Sequence, residues 1–241
     1  IGNGWKKWMG VTEGINHFHG VEKKHAFEGE FQQWVVGARN RYMYLDLLNQ
    51  FKKNYKELEP YQLAYTYVAE AGLRIELVSF AGRFAKLSEA TKDTPQDDID
   101  KSVASLKTAA ESFFKDYYQP IDRDVAKMLL TEYLKAQPAD FRPAFLNDIK
   151  DVDDYVDKLF DKSMFTDEAK VNALLDGFKA KDAKKLANDP AMKVYQSLIG
   201  FFRNEVHGHI AAIGSDNARL QRLYMKGQME MQPDKRLFPD A

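Results

Sequence analysis

The stretch 61–90 constrains the fold more than any other part of the chain, because apolar residues recur there every three or four positions. Such spacing puts them on one face of an α-helix, and Pro60 suits the first turn of that helix, where its missing N–H costs nothing. The stripe consists of Ala64, Val68, Ala71, Ile75, Val78, Ala81, Phe84 and Ala85. Alanine alone, with 25 residues, nearly matches the 29 of valine, isoleucine and threonine together. Strand formers are therefore scarce, and we predict an all-α fold, a multi-helix bundle-like domain.

Capping signals mark three further helix starts. Thr94 and Pro95 precede Asp97 in the pattern of a capping box, Asp189 stands before Pro190, and Thr166 precedes two acidic residues. Hydroxyl and carboxylate side chains at these positions satisfy the first free N–H groups of a helix. Together with the apolar periodicity they predict helices near 20–36, 41–57, 60–90, 95–117, 121–136, 143–162, 167–176 and 189–230.

The sequence indicates a single domain, because neither repeats nor linkers interrupt it. No motif repeats every 30 to 50 residues, and no low-complexity linker occurs in the 241 residues. We therefore predict one helical domain over 1–241. The proline-containing stretch 137–143 is the best joint within it, between sub-layers 1–137 and 143–241.

Charge and composition exclude several classes of partner. With 35 Lys and Arg against 36 Asp and Glu, the formal net charge is −1, so binding to nucleic acid or to an acidic membrane is not expected. No run of about 18 apolar residues would span a bilayer. The chain contains no cysteine, which removes disulfides and thiolate chemistry.

The five histidines do not predict a metal site. Two H-x-H pairs occur, but residues two apart on a helix point away from each other, and only Glu22 and His25 have the spacing that a di-iron bundle uses twice. The acidic run 151–161 lacks the glycine of a calcium loop and is better explained as a solvated helix face. We predict no metal and no cofactor. The histidines are His17, His19, His25, His207 and His209.

Catalytic motifs are also missing from the sequence. None of the serines lies in G-x-S-x-G, and the glycines near the start are too widely spaced for a phosphate loop. We therefore predict no catalytic residue in this chain, which by its own chemistry is a helical scaffold.

Both ends of the chain resemble one enzyme family. The sequence NGWKKWMG at 3–10, MQPDKRLFPDA at 231–241 and the internal LANDPA at 186–191 are similar to the bacterial serine dipeptidyl aminopeptidases that include dipeptidyl-peptidases 7 and 11. In that family a chymotrypsin-like double β-barrel is interrupted by a large helical domain. The absence of an initiator Met and the abrupt end lead us to expect a piece of a longer chain.

The resemblance implies a function for the parent protein. It would be an exported, periplasmic or outer-membrane-associated homodimer that removes dipeptides from peptide N-termini, with a Ser-His-Asp triad in the barrel. This chain would then be a helical cap that covers the cleft, with the peptide substrate and the β-barrel catalytic domain as its partners. The alternative is a free-standing helical module that binds a peptide or a partner helix.

Two residues near the start are candidates for the site. By resemblance, Asn3 helps to hold the free amino terminus of the substrate, since an amide oxygen can accept a hydrogen bond from an ammonium group. Its alternative role is the N-cap of the first helix. Trp5 is a candidate lining residue of the cleft, although Trp5 and Trp8 lie three apart, as residues packed in a core would.

Overall fold

The computed structural model describes residues 2–234 and the side chains of all of these except 2–5 and 40. The described part is built from helices and contains no strand. The α-helices are α1 (Gly2–His17), α2 (Gly20–Val36), α3 (Leu47–Tyr67), α4 (Glu76–Arg83), α5 (Ala85–Ser88), α6 (Gln96–Asp116), α7 (Gln119–Ala136), α8 (Ala144–Asn147), α9 (Val152–Lys162), α10 (Glu168–Leu175), α11 (Ala183–Asn188), α12 (Pro190–Phe201) and α13 (His207–Met231). The all-α prediction is confirmed.

Shorter helical turns connect several of these elements. Two π-helical turns follow α3 and α12, at Val68–Gly72 and Phe202–Val206. The 3₁₀ turns are Arg39–Tyr44, Ala139–Phe141, Met164–Thr166 and Ala180–Asp182.

The single helix expected over 60–90 is wrong. Pro60 lies inside α3 and not at a helix start, and the chain then passes through the π turn Val68–Gly72 before α4 and α5. A proline within a helix removes one backbone hydrogen bond, which the surrounding packing can offset. The apolar stripe nevertheless marks the buried side correctly, since residues such as Ile75, Val78 and Phe84 are fully buried.

The capping predictions met different outcomes. Asp189 caps α12 as expected, because its carboxylate accepts a hydrogen bond from the N–H of Ala191 at 2.8 Å. In α10 the cap is Asp167, one residue after the predicted Thr166. The prediction for Thr94 is wrong, because its Oγ1 accepts from the N–H of Thr91 and so does not cap α6.

The chain divides into two compact units. The first contains the described residues up to 57 together with 211–234, and the second contains 58–210. The proline-containing stretch 137–143 lies inside the second unit, where it connects α7 to α8 around a shared core. That 1–241 forms one domain stays a prediction.

In the second unit, α4 and α12 approach very closely. Gly82 faces the ring of Tyr195, and Gly72 faces the fully buried Leu198, with no room for a Cβ at either glycine. Behind this contact Phe80 stacks on Phe113 at a centroid distance of 3.9 Å. Small residues at a helix contact allow the backbones to come together, and here they anchor the core.

A buried carboxylate caps α4 from another helix. Asp122 of α7 is only 4% exposed and accepts hydrogen bonds from the N–H groups of Glu76 and Leu77, at 2.8 and 2.9 Å. Burial raises the pKa of the Asp122 carboxyl, while the two backbone N–H groups act in the opposite direction. No side chain of its own caps α4, so Asp122 satisfies donors that would otherwise be unpaired.

The acidic run 151–161 forms one face of α9. Asp151 caps that helix, and Asp157 pairs with Arg123 and Lys127 of α7, at 3.1 and 2.9 Å. Hydrogen bonds from Lys127 and Arg123 lower the pKa of the Asp157 carboxyl. The opposite face of α9 is buried in the core, as expected for an amphipathic helix.

Candidate functional site

The two candidate site residues lie in the first turn of α1. Asn3 and Trp5 belong to the helix Gly2–His17, which the apolar periodicity of the sequence did not predict. Their side chains fall outside the part of the chain that the structure describes. The choice between an N-cap and a contact to substrate for Asn3 therefore stays open, as does the role of Trp5.

A tight connection joins α1 to α2. His19 adopts a left-handed backbone with φ 51°, and its N–H donates to the carbonyl of Asn16 at 3.1 Å. Histidine is one of the residue types that tolerate this conformation more often than most. The turn allows α2 to pack on α1, so the helix that carries Asn3 leads directly into the helix that carries the core residues Phe31 and Val35.

The α1–α2 pair exposes an unusual amount of apolar surface. None of the residues 6–30 is buried, although the core of the same unit begins at Phe31. Val11, Ile15 and Phe18 are 56, 45 and 65% exposed, and their spacing places them on one face. The helices α1 and α2 form a helical hairpin. We call Val11, Ile15 and Phe18, together with the exposed Val21 that follows, the apolar face of the hairpin.

The alternative in which the tryptophans pack in a core is wrong for Trp8. Its side chain is 58% exposed. The sequence pattern of two aromatic residues three apart is typical of core packing, but it depends on a neighbouring element to cover them. Among the described elements α1 packs chiefly on α2.

The histidines have separate surroundings. His209 stacks on Tyr61 with ring centroids 4.1 Å apart, and His207 meets the edge of Phe202 at 5.6 Å. His17 lies against Phe18 at the end of α1. Within residues 2–234, no group of three or more metal-ligating side chains comes together.

Sequence reasoning missed one feature of the first unit, a cleft among α2, α3 and α13. It is lined by aromatic side chains of α3 and α13 and by lysines of α2 and α3. The signal in the sequence was Phe51 and Tyr55, one turn apart, beside Lys52. Nothing in a linear pattern indicates which helix faces them.

None of the helices in the described range is long and apolar enough to cross a membrane.

Comparison with known proteins identifies the family. The family model described as Peptidase S46 matches residues 1–241. An Asp/Glu-specific dipeptidyl-peptidase from Flavobacterium psychrophilum is 29% identical over 242 residues, covering 100% of this chain and 34% of the relative. Dipeptidyl-peptidase 7 from Porphyromonas gingivalis is 28% identical, covering 99% of this chain and 33% of the relative.

A solved structure has the same fold. The crystal structure of Porphyromonas endodontalis DPP11 in complex with the dipeptide Arg-Glu superposes with a TM-score of 0.70 at 21% sequence identity. The match covers 94% of this chain and 33% of that one. This chain thus spans about a third of the length of the relatives that it matches. Since the family model covers every residue, the chain belongs to the peptidase S46 family.

Proposed function

We propose that this chain is the helical cap domain of an exported serine dipeptidyl peptidase that releases dipeptides from peptide N-termini. The observation that carries the proposal is the match of the S46 family model over the whole chain. Its relatives are named dipeptidyl-peptidases, and the chain spans about a third of their length. The catalytic triad belongs, on this proposal, to the remaining two thirds of the parent protein.

The exposed apolar face of the α1–α2 hairpin supports the proposal that another domain covers it. A helix of 16 residues is marginal in water unless an apolar face packs against something else. The apolar face of the hairpin is open to solvent in this chain, so another part of the protein would have to cover it. We propose that the β-barrel catalytic domain of the same parent chain packs there.

Asn3 supplies the chemistry of the site. On the proposal, its amide oxygen accepts a hydrogen bond from the ammonium group of the substrate, with Trp5 lining the cleft beside it. A closed site for the free amine fixes the cleaved bond at two residues from the N-terminus of the substrate. A substrate with a blocked or longer N-terminal end would leave a buried polar group of the site unpaired. The helical cap would thus help to define the dipeptide length while the barrel cuts the bond.

The parent is proposed to be a periplasmic or outer-membrane-associated homodimer, as the family resemblance implies. The peptide that it takes would meet the cap and the barrel together. The relatives differ in their names, since some are Asp/Glu-specific dipeptidyl-peptidases and others dipeptidyl-peptidase 7. We propose no preference for this protein, because the residues that recognise the side chain would lie in the barrel.

Product analysis tests this function. The complete protein is incubated with a decapeptide that has a free N-terminus and with the same peptide N-acetylated, and the products are identified by mass spectrometry. We expect successive dipeptides from the free peptide and far slower cleavage of the acetylated one. Internal cleavage, or no cleavage at all of a set of peptides with varied second residues, would refute the proposal and favour the helical binding module.

A further inference from the structure

The cleft of the first unit has the size of a small-ligand site. It is an open cleft of about 590 Å³ between α2, α3 and α13. Ligand pockets in proteins commonly fall between about 300 and 1,000 Å³ and combine apolar walls with a few polar groups. This cleft has that composition, and all of its lining residues belong to one compact unit.

One wall of the cleft is aromatic and held from behind. Phe51 and Tyr55 lie in a stacked arrangement with centroids 6.3 Å apart, and Tyr224 meets Phe51 edge-on at 6.2 Å. Tyr224 in turn contacts the fully buried Phe31 at 4.9 Å. Because the core fixes this wall, it presents an apolar surface at little cost in side-chain entropy. Tyr55 remains 53% exposed and can be covered by a ligand.

The rim of the cleft is positively charged. Lys24 and Lys52 line it from different helices, against the single carboxylate of Glu28, which lies 3.7 Å from Lys24. Lys52 makes no ion pair with any described residue. The lining therefore has an excess positive charge, and Lys52 contributes an ammonium group to the same cleft as the aromatic wall. Such a pair favours a ligand with a carboxylate next to an apolar group.

We infer that this cleft binds a short peptide that carries an aromatic side chain and a carboxylate. The aromatic side chain packs on Phe51 and Tyr55, and the carboxylate pairs with Lys52. The carboxylate can be a peptide C-terminus or an Asp or Glu side chain, since both present the same group to an ammonium. This inference rests only on the cleft and does not depend on the proposed peptidase function.

Lysine footprinting of the complete protein tests the inference. The rate at which limiting acetyl-N-hydroxysuccinimide acetylates each lysine is measured by mass spectrometry, with Lys53 as the matched control. Lys53 is an exposed neighbour on α3 that does not line the cleft. The probes are N-acetyl-Phe-Glu, N-acetyl-Phe-Gln, N-acetyl-Phe-Glu-amide and N-acetyl-Phe-Gln-amide, which carry both carboxylates, the C-terminal one, the side-chain one and none. Their blocked N-termini keep them from an amine-binding site, so failure of the peptidase proposal leaves this result unaffected.

The expected result is selective protection of Lys52. The three probes with a carboxylate should slow its acetylation by about threefold or more at saturation, because an ion-paired amine is a poorer nucleophile, and should leave Lys53 unchanged. Comparing the second and third probes identifies the carboxylate that the cleft prefers. Tyr55→Ala should raise the probe concentration that gives half-maximal protection by about threefold, through loss of the stacking surface. Equal protection by the probe without a carboxylate, equal protection of Lys53, or a half-maximal probe concentration that Tyr55→Ala leaves unchanged would overturn the inference.

Discussion

One added methyl group at Gly72 should destabilise the fold, because Gly72 closes the contact between the π turn Val68–Gly72 and α12. A Cβ built on Gly72 would lie 2.6 and 2.9 Å from the two Cδ atoms of Leu198 and 3.3 Å from its Cγ. Carbon atoms in contact prefer about 3.5 to 4.0 Å. Leu198 is fully buried, so its side chain cannot move aside into solvent.

The expected loss of stability follows from two opposing terms. Overpacking of a tightly packed core by one methyl group costs about 1 to 3 kcal/mol. Replacing glycine by alanine returns about 0.5 to 1 kcal/mol, because the unfolded chain loses conformational freedom. Gly72→Ala should therefore lower the free energy of unfolding by up to about 2.5 kcal/mol, which is a fall in Tm of up to about 10 °C for a chain of this size.

Gly200 is the matched control. It lies in α12, two residues after Leu198, and a Cβ built there meets no atom within 4 Å. Gly200→Ala should retain only the favourable term and raise the free energy of unfolding by about 0.5 to 1 kcal/mol. Urea unfolding of the 241-residue chain, followed by circular dichroism, measures both variants within the second unit.

A double-mutant cycle isolates the clash. In a Leu198→Ala background the methyl group of Gly72→Ala should cost nothing, with a coupling energy of about 1 to 3 kcal/mol between the two positions. If Gly72→Ala is as stable as Gly200→Ala, or if its cost is the same in both Leu198 backgrounds, the close approach of the two segments is not the cause and the reasoning fails.

Three further predictions follow from the fold and the proposed function. Asp122→Ala should lower the free energy of unfolding by about 2 to 5 kcal/mol in urea titrations, because two backbone donors lose their acceptor, whereas Asp124→Ala on the exposed side should change it by less than about 0.5 kcal/mol; equal losses would contradict the capping role. The pKa of Asp157 is lowered by Lys127, so the stability that it adds is present above about pH 4 and lost as the pH falls through its folded-state pKa. Asp157→Asn should accordingly have a lower Tm than the wild type at pH 7 and the same Tm at pH 2, and a constant difference would argue against the ion pair. The isolated 241-residue chain should fold but release no dipeptide from chromogenic substrates, since the triad lies elsewhere on our proposal; turnover that survives repurification and is blocked by a serine-reactive inhibitor would show the opposite.

The sequence predicts buried faces better than it predicts where helices break. The period of the apolar stripe identified Val68 and Ile75 as core residues, because burial follows from helical spacing alone. The π turn Val68–Gly72 was not predicted, since the apolar spacing of three and four residues continues through it unchanged. Asp189 was correct as a cap because the cap acts on the next turn of the same chain.

The candidate sites show the same limit. Asn3 was found through a family resemblance, since the chemistry of an asparagine near a helix start does not distinguish a ligand from a cap. The cleft could not be predicted, because Lys24, Lys52 and Tyr224 come from three separate helices and only tertiary packing brings them together. The cap on α4 was missed for that reason too, as Asp122 lies 46 residues after the N–H of Glu76.

The most direct test of the central claim is the effect of Asn3→Ala on the complete enzyme, measured with a free and an N-acetylated peptide. Loss of one hydrogen bond to a charged group costs about 1.5 to 3 kcal/mol, so kcat/KM for the free peptide should fall by about 10- to 150-fold. The slow cleavage of the acetylated peptide should not change, and Asn16→Ala, near the other end of α1, should affect neither substrate. If Asn3→Ala lowers kcat/KM by the same factor for both peptides, or melts the protein instead, Asn3 is a structural residue and the cap does not hold the amino terminus of the substrate.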